Sequence, residues 1–275
     1  MITAVDRYAV VGNPVAHSKS PLIHEAFARA TVQAMSYERL LAPIDGFARG
    51  VDAFAADRGK GLNVTIPFKL EAFALARELS PRAAFAQACN TLAWRGDHWY
   101  GDNTDGAGLL RDIAHNLDVR IDGRDVLVLG AGGAARGILA PLLGAAPRAL
   151  VVANRTQSRA AMLAAQFAEV GPVSAIAPSA LAGRRFDVVI NATSIGLGST
   201  VPRGLWPEGL FAQGAFAYDL VYANERTPFV AWARAQGVAR TADGLGMLIE
   251  QAAESFALWR GVRPDTAPVF ALLRA

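Results

Sequence analysis

Four groups of polar side chains, each set against an apolar run, hold the residues of this chain that could do chemistry. The first is His17-Ser18-Lys19-Ser20. Ser18 and Ser20, two positions apart, can aim both hydroxyls at one oxygen-rich ligand, and a helix start there favours an anion. Taken alone, Ser20 is explained as well by helix capping. The second group is Asn63-Val64-Thr65-Ile66-Pro67-Phe68-Lys69. In a strand Asn63 and Thr65 share a face, and two polar side chains on one face of a central strand cost stability unless something pairs with them. Lys69 follows the proline stop. By itself it reads as an ordinary exposed charge, and a neighbouring carboxylate would change that. The third group joins Asn90-Thr91 to Gly101-Asp102-Asn103-Thr104-Asp105-Gly106, so many acceptors around two glycines that they make either a turn network or a polyol site. The fourth comprises Asn191-Ala192-Thr193-Ser194, Tyr218-Asp219-Leu220-Val221-Tyr222 and Asp243-Gly244-Leu245-Gly246, at late strand ends where open α/β sheets hold ligands.

A glycine turn says what one of those ligands is. Asp125-Val126-Leu127-Val128-Leu129 reads as a buried parallel strand, Gly130-Ala131-Gly132-Gly133-Ala134-Ala135 follows, and Arg136 to Leu143 reads as a helix. In such a unit the first glycine makes the tight turn and the second lets a pyrophosphate approach the backbone. The small third residue, here Ala135, lets helix pack on strand. The helix N-terminus then offers unpaired N–H groups and the positive end of its dipole to the phosphates. The next strand, Ala149 to Ala153, ends in Asn154-Arg155-Thr156 with Arg159 close behind. An acid there would accept from a ribose 2′-hydroxyl, whereas a basic pair suits a 2′-phosphate. Taken alone, the two arginines could equally solvate a helix start.

The elements that must position these groups alternate along the chain. Tyr8 to Gly12 is a strand broken by Gly12-Asn13-Pro14, and Ser20-Pro21 opens a helix carrying Leu22, Ile23, Ala26, Phe27 and Ala30. A strand over 35–42, a helix over 45–56 and a strand over 61–67 follow. Thr91 to Tyr100 reads as an edge hairpin around Arg95-Gly96-Asp97, and 106–117 as an apolar helix. Further strands are predicted near 125–129, 149–153, 173–176, 186–191 and 215–220, with Pro141 expected to kink or shorten the helix it interrupts. Helices over 245–259 and after Pro268 close the chain, the longer one expected to return to the first domain. About 120 residues precede the glycine turn, close to a whole domain, so the substrate machinery should come first and the dinucleotide domain second. Asp105, heading the helix between them, is then expected to face the cleft.

Composition narrows the classes. With 275 residues, 52 % of them hydrophobic and 19 % charged, the chain is a well-packed protein rather than a disordered one. Its net charge of +3 comes from scattered residues, so nucleic acid is not an expected partner. No apolar run reaches the ~18 residues of a membrane span, and Asp6 and Arg7 interrupt any leader-like core. The one cysteine, Cys89, reads as a small buried hydrophobe in a reducing compartment, and a cytoplasmic protein is expected. No His-x-x-x-His, Cys-x-x-Cys or paired-carboxylate spacing marks a metal site, and no Gly-x-Ser-x-Gly marks a hydrolase.

Taken in order, these groups resemble the shikimate dehydrogenase family over essentially the whole chain. The match runs through Gly12-Asn13-Pro14, Ser18-Lys19-Ser20-Pro21, Asn63 to Lys69, Asn90-Thr91, Gly101 to Gly106, Gly130 to Ala134, Asn154-Arg155-Thr156, Asn191 to Ser194 and Asp243-Gly244-Leu245-Gly246-Met247-Leu248. The resemblance implies an α/β fold of two domains. Residues 1–105 with 245–275 would bind substrate, and 106–244 would form a Rossmann-type doubly wound NADP domain. It also implies an oxidoreductase that reduces 3-dehydroshikimate to shikimate with NADPH, on the route to chorismate and aromatic amino acids, acting as a monomer or homodimer. By the same resemblance Lys69 and Asp105 are the catalytic pair. Ser18, Ser20 and Tyr222 would hold the substrate carboxylate, and Thr65, Lys69, Asn90, Asp105 and Gln251 would surround the ring hydroxyls. Gly130, Ala131, Gly132, Gly133, Ala134, Asn154, Arg155, Thr156, Arg159, Thr193, Leu220 and Gly244 would hold the cofactor. The pair makes chemical sense, because hydride delivery to a carbonyl builds alkoxide character that a nearby ammonium can stabilise and protonate.

The chain departs from the family pattern at Pro81, where many relatives carry an acidic or polar residue. Two other readings compete. A quinate/shikimate dehydrogenase would share the fold and the lysine–aspartate pair, but its NAD-using forms tend to carry an acid where this chain has Asn154-Arg155-Thr156. A catalytically dead NADP-binding regulator is disfavoured by the retention of Lys69 and Asp105.

Overall fold

The computed structural model describes residues 5–193 and 206–274, which build two six-stranded sheets. Each sheet lies in its own unit, one formed by Met1–Leu109 with Leu248–Ala275 and the other by Leu110–Met247. The chain crosses between units inside two helices, α5 (Asp105–Arg111) and α9 (Leu245–Arg260).

In the first unit, β1 (Asp6–Gly12), α1 (Ser20–Ala30), β2 (Met35–Leu41), α2 (Phe47–Ala56) and β3 (Gly59–Val64) alternate as their hydropathy requires. β1 pairs in parallel with both β2 and β3. Beyond them come α3 (Lys69–Leu75), β4 (Glu78–Leu79), α4 (Pro81–Ala86), β5 (Thr91–Trp94) and β6 (Trp99–Asp102), giving the order β2-β1-β3-β5-β6-β4. The last helix, α10 (Ala267–Arg274), also belongs to this unit. Its core gathers Ala9, Val11, Phe47, Val51, Leu62, Val64 and Phe68. Phe68 stacks on Phe47 of α2 with ring centroids 4.8 Å apart, which anchors the residue just before Lys69. Burying a ring of that size contributes about 2–3 kcal/mol.

Three details differ from the sequence expectations in this unit. β3 stops at Val64, so Thr65 does not alternate with Asn63 on a strand face. Thr65 N still donates to Val11 O at 2.9 Å, but Phe68 N then turns back to Thr65 O, because Pro67 has no N–H to continue the ladder. The hairpin of β5 and β6 is not at the edge, since the two-residue β4 pairs outside β6. α2 begins at Phe47, two residues late, after a turn closed by Gly46 N to Pro43 O.

The second unit carries β7 (Asp125–Leu129), α6 (Gly133–Gly144), β8 (Ala149–Ala153), α7 (Gln157–Phe167), β9 (Val173–Ile176), β10 (Phe186–Asn191), β11 (Phe211–Asp219), α8 (Pro228–Ala235) and β12 (Arg240–Ala242). All six strands run parallel in the order β12-β11-β10-β7-β8-β9, the doubly wound arrangement whose strand order reverses beside β7. Buried on both faces, β7, β8 and β10 are nearly continuous apolar runs. Leu127, Leu129, Val151, Val189, Phe211, Ala217 and Phe229 lie in one core.

Pro141 does not shorten α6, which runs on to Gly144. It falls in the last turn, where one ladder bond is lost while its own carbonyl still accepts from Ala145 N at 3.1 Å. The helix expected over 106–117 is α-helical only to Arg111 and widens to a π turn at Asp112–Asn116. β12, three residues long, carries no hydropathy signal. Of the fourth polar group, Ser194 lies outside the described residues.

Candidate active site

Within the first unit, the strand ends bring three of the four polar groups together. Lys69 opens α3, and its ammonium lies 2.5 Å from Asp105 Oδ2, with side-chain exposures of 14 % and 5 %. The lysine is therefore not the exposed surface charge that its sequence context allows. A cation at a helix N-terminus is disfavoured by the dipole, and the carboxylate offsets that cost. The lysine backbone is fixed as well, because Cys89 N donates to Lys69 O at 2.9 Å.

Asp105 is held from its other side. Asn90 Nδ2 donates to Asp105 Oδ1 at 2.9 Å, and lies 2.9 Å from Thr104 Oγ1 and 3.1 Å from Gln251 Oε1. Asn90 Oδ1 accepts from Thr104 N at 2.8 Å and from Thr91 Oγ1 at 3.0 Å. Gln251 comes from α9, whose backbone packs so tightly on α5 that a Cβ on Gly108 would stand 2.6 Å from Gln251 N. The third group forms the turn network that its sequence allows. Asp102 and Asn103 cap the turn, accepting from Asn103 N and Asp105 N respectively, while the Asp105 carboxylate is left to face the lysine.

Ser18 and Ser20 are both buried, and the Ser18 hydroxyl donates to Ser20 Oγ at 3.1 Å. Lys19, not Ser20, stands at the N-cap of α1 and makes no side-chain cap bond, while the Ser18 hydroxyl accepts from Ser20 N at 3.3 Å. The capping explanation of Ser20 is thereby removed. Instead Ser20 hydrogen-bonds Tyr37, whose hydroxyl donates to Asn63 Oδ1 at 2.7 Å. From Asn63 the network continues through Thr91 and Ser255 to Asn90, so the serines and the Lys69–Asp105 pair share one run of hydrogen bonds. Thr65 lies in the turn after β3, its methyl filling the space a Cβ on Gly12 would need.

Among the supporting residues, His24, Ser80, Arg82 and Ser255 carry no signal as site residues in the sequence. His24, one turn after Ser20 on the buried face of α1, donates from Nε2 to Asn63 Oδ1 at 3.1 Å and stacks on Tyr37 at 4.2 Å. Burial pushes its pKa down to about 3, only partly opposed by the bond to Asn63. Ser255 bonds Asn63, Thr91 and Gln251 O. Asp102 takes Arg82 in a two-pronged pair at 2.7 and 2.6 Å, plus the Ser80 hydroxyl at 2.5 Å. Burial alone would raise that carboxyl, but Arg82 and Ser80 hold it below its ordinary value. Pro81, between them, is an exposed residue in the first turn of α4. Burial pushes the Cys89 thiol up to about 12, so it is an inert apolar neighbour of Asn90.

The second unit places the remaining candidates. Gly130 adopts φ +113°, and a Cβ there would stand 2.9 Å from the Ala192 carbonyl, so only glycine fits the turn. Gly132 is the N-cap of α6 with no side chain bonded into the cap and open space where a Cβ would be. Ala131, Gly133 and Ala134 complete this first turn, and Ala135 is fully buried against the sheet. Asn154 Nδ2 donates to Thr156 O at 2.9 Å, closing the turn that presents Arg155 and Arg159 to solvent. Among the described residues neither guanidinium has an ion-pair partner. The N-terminus of α6 and an exposed arginine pair one strand away fit a pyrophosphate and a 2′-phosphate. Thr193 follows β10, Leu220 and the half-buried Tyr222 follow β11, and Gly244 follows β12.

The chain is similar in sequence and in fold to known proteins. A family model described as the shikimate dehydrogenase substrate binding domain matches residues 10–92. A shikimate / quinate 5-dehydrogenase model matches 112–197, and a shikimate 5'-dehydrogenase C-terminal domain model matches 244–274. A protein of Aromatoleum aromaticum named shikimate dehydrogenase (NADP(+)) is 58 % identical, covering 98 % of this chain and 97 % of its own. One of the same name from Dechloromonas aromatica is 54 % identical, covering 98 % of each. Among solved structures, an Ael1 enzyme of Pseudomonas putida is 47 % identical with TM-score 0.89 over 98 % of both chains. The Thermus thermophilus shikimate 5-dehydrogenase in complex with NADP(H) and shikimate is 33 % identical, with TM-score 0.86 over 98 % of this chain and 99 % of that one.

Proposed function

The chain belongs to the shikimate dehydrogenase family, and we propose that within it Lys69 and Asp105 carry the chemical step. The activity is the NADP-dependent, reversible reduction of 3-dehydroshikimate to shikimate, on the path to chorismate and the aromatic amino acids. NADPH, when bound, supplies a hydride to the substrate carbonyl carbon. The carbonyl oxygen then takes on alkoxide character and needs a proton. The Lys69 ammonium stabilises that oxygen and delivers the proton, and in the reverse direction the neutral amine takes it back. Asp105 orients the ammonium and receives a ring hydroxyl. Asn90 and Gln251 fix Asp105 and offer further partners to the ring.

Ser18 and Ser20 hold the substrate carboxylate, with Tyr222 as a third hydroxyl. Thr65 contributes its hydroxyl beside Lys69. Gly130 to Ala134 receive the pyrophosphate, Asn154, Arg155, Thr156 and Arg159 receive the adenosine 2′-phosphate, and Thr193, Leu220 and Gly244 line the nicotinamide half. Residues 1–105 with 245–275 form the substrate domain and 106–244 the NADP domain. The enzyme works in the cytoplasm as a monomer or homodimer, a reducing setting that suits a single buried cysteine.

The observation that carries this reading is the 2.5 Å pairing of Lys69 with Asp105 beside the Asn90 amide. Initial rates of the purified protein with shikimate and quinate, each against NADP+ and NAD+, test it. Turnover of shikimate with NADP+ is expected to dominate. A preference for quinate, or for NAD+, would overturn it.

A further inference from the structure

In the second unit, two fully buried polar side chains face each other where β10 and β11 end. Asn191 and Asp219 are register partners, and Asn191 Nδ2 donates to Asp219 Oδ1 at 2.8 Å. A buried carboxylate without a cation is costly, and among the described residues Asp219 forms no ion pair. Burial pushes its pKa up to about 6, and Asp243 adds to the rise, while Thr227, Val221 N–H and Asn191 pull it down. A leucine would pack there at no such cost. Something must repay the carboxylate.

The bonds around the pair say what it holds. Asn191 Oδ1 accepts from Thr193 Oγ1 at 2.7 Å and from Thr193 N at 3.3 Å. Asp219 Oδ1 also accepts from Val221 N at 3.1 Å, and Leu220 N donates to Asn191 O at 2.9 Å. Val221 O in turn accepts from Gly244 N at 3.0 Å, and a Cβ on Gly244 would stand 2.7 Å from the Leu220 carbonyl carbon. On the other side, Ala192 N donates to Leu129 O at 2.8 Å, and the Ala192 carbonyl is the group that excludes a Cβ from Gly130. One buried amide–carboxylate pair therefore fixes the first residues after β10, β11 and β12.

In a doubly wound sheet the dinucleotide spans the point where strand order reverses, one mononucleotide on each half. Here β7, β8 and β9 form the half with the arginine pair, and β10, β11 and β12 form the other. We propose that Asp219 is a positioning residue which, through Asn191, sets the first residues after β10, β11 and β12, and that these receive the nicotinamide half of the cofactor. This rests on the NADP reading above. It predicts that loss of the carboxylate loosens one half of the dinucleotide site and spares the other.

Calorimetric titration of wild type, Asp219→Ala and Asp219→Asn with NADP+ and with 2′,5′-ADP tests it. 2′,5′-ADP carries only the adenosine half. Asp219→Ala is expected to weaken NADP+ about tenfold or more, the loss of one or two buried hydrogen bonds, while 2′,5′-ADP stays within about twofold. Asp219→Asn keeps an acceptor toward Asn191 and Val221 N and should restore NADP+ affinity to within about threefold of wild type. If Asp219→Ala does not fold, Asn191→Ala replaces it, since it cuts the link to Thr193 while leaving Asp219 its Val221 bond. Equal weakening of both ligands would show a merely structural role and overturn the proposal, as would unchanged NADP+ binding. Failure of the wild type to bind NADP+ would instead overturn the cofactor reading itself.

Discussion

The side-chain amide of Asn90 donates to Asp105 Oδ1 at 2.9 Å, which leaves Oδ2 to the Lys69 ammonium. One amide thus decides how the carboxylate divides its two oxygens. Asn90→Ala would also strand the Thr104 N–H and take one of two donors from Gln251 Oε1 in a buried network, a loss of about 2–4 kcal/mol. Urea denaturation should show that loss, and initial rates should show a raised KM for shikimate. A variant as stable as wild type would mean that the network does not hold the site.

Gly130→Ala places a Cβ 2.9 Å from the Ala192 carbonyl at φ +113°. Backbone strain there costs about 1–3 kcal/mol, so NADP+ affinity measured by titration should fall about tenfold or more. Binding at wild-type strength would remove the turn from the cofactor site.

Cofactor choice is expected to reside in the exposed arginines that follow β8. Arg155→Ala and Arg159→Ala should each raise the KM for NADP+ by about tenfold and leave that for NAD+ nearly unchanged, since only the 2′-phosphate forms charge-assisted bonds. An equal change for both cofactors would assign these residues to something other than the 2′-phosphate.

Two buried groups give pH dependences of opposite sign. His24, held down to about 3 against an ordinary 6.5, is neutral in the folded protein. Its contribution is complete above pH 6.5 and is lost as pH falls toward 3, by at most about 1.4 kcal/mol for each pH step of one. Asp219, pushed up to about 6 from 3.8, contributes fully below about pH 4 and loses that contribution as pH rises through 6. Denaturation midpoints of His24→Gln and wild type, compared at pH 7, 5 and 4, should converge as the pH falls. Midpoints that stay parallel would contradict the burial of a neutral imidazole.

Legibility in the sequence follows the strength of local patterning. β7 and β8 are uninterrupted apolar runs bounded by a glycine turn and a polar stop, and both ends are readable. β4 and β12, two and three residues long, are strands only because a neighbour supplies the other half of the ladder. Thr65 departs from its expected strand face for a related reason. The proline stop is visible, but β3 ends already at Val64, and Thr65 keeps only its N–H bond to β1. In the site, serines, lysine and carboxylates stand out as polar residues at strand ends. His24 does not, because its partners Tyr37 and Asn63 arrive from β2 and β3, and no spacing along one segment encodes that meeting. Asp219 is visible as a member of a polar run, but its burial and its bond to Asn191 depend on the register of two strands nearly thirty residues apart.

In the proposed reaction Lys69 supplies the proton while Asp105 orients its ammonium. Steady-state turnover of Lys69→Ala with shikimate and NADP+, alongside its NADP+ affinity by titration, separates that role from cofactor binding. A loss in kcat of about 10²–10⁴ is predicted, with NADP+ binding kept within about twofold, because the lysine lies in the substrate unit and acts on the reacting oxygen. Near-normal turnover in a variant that binds NADP+ normally would contradict it.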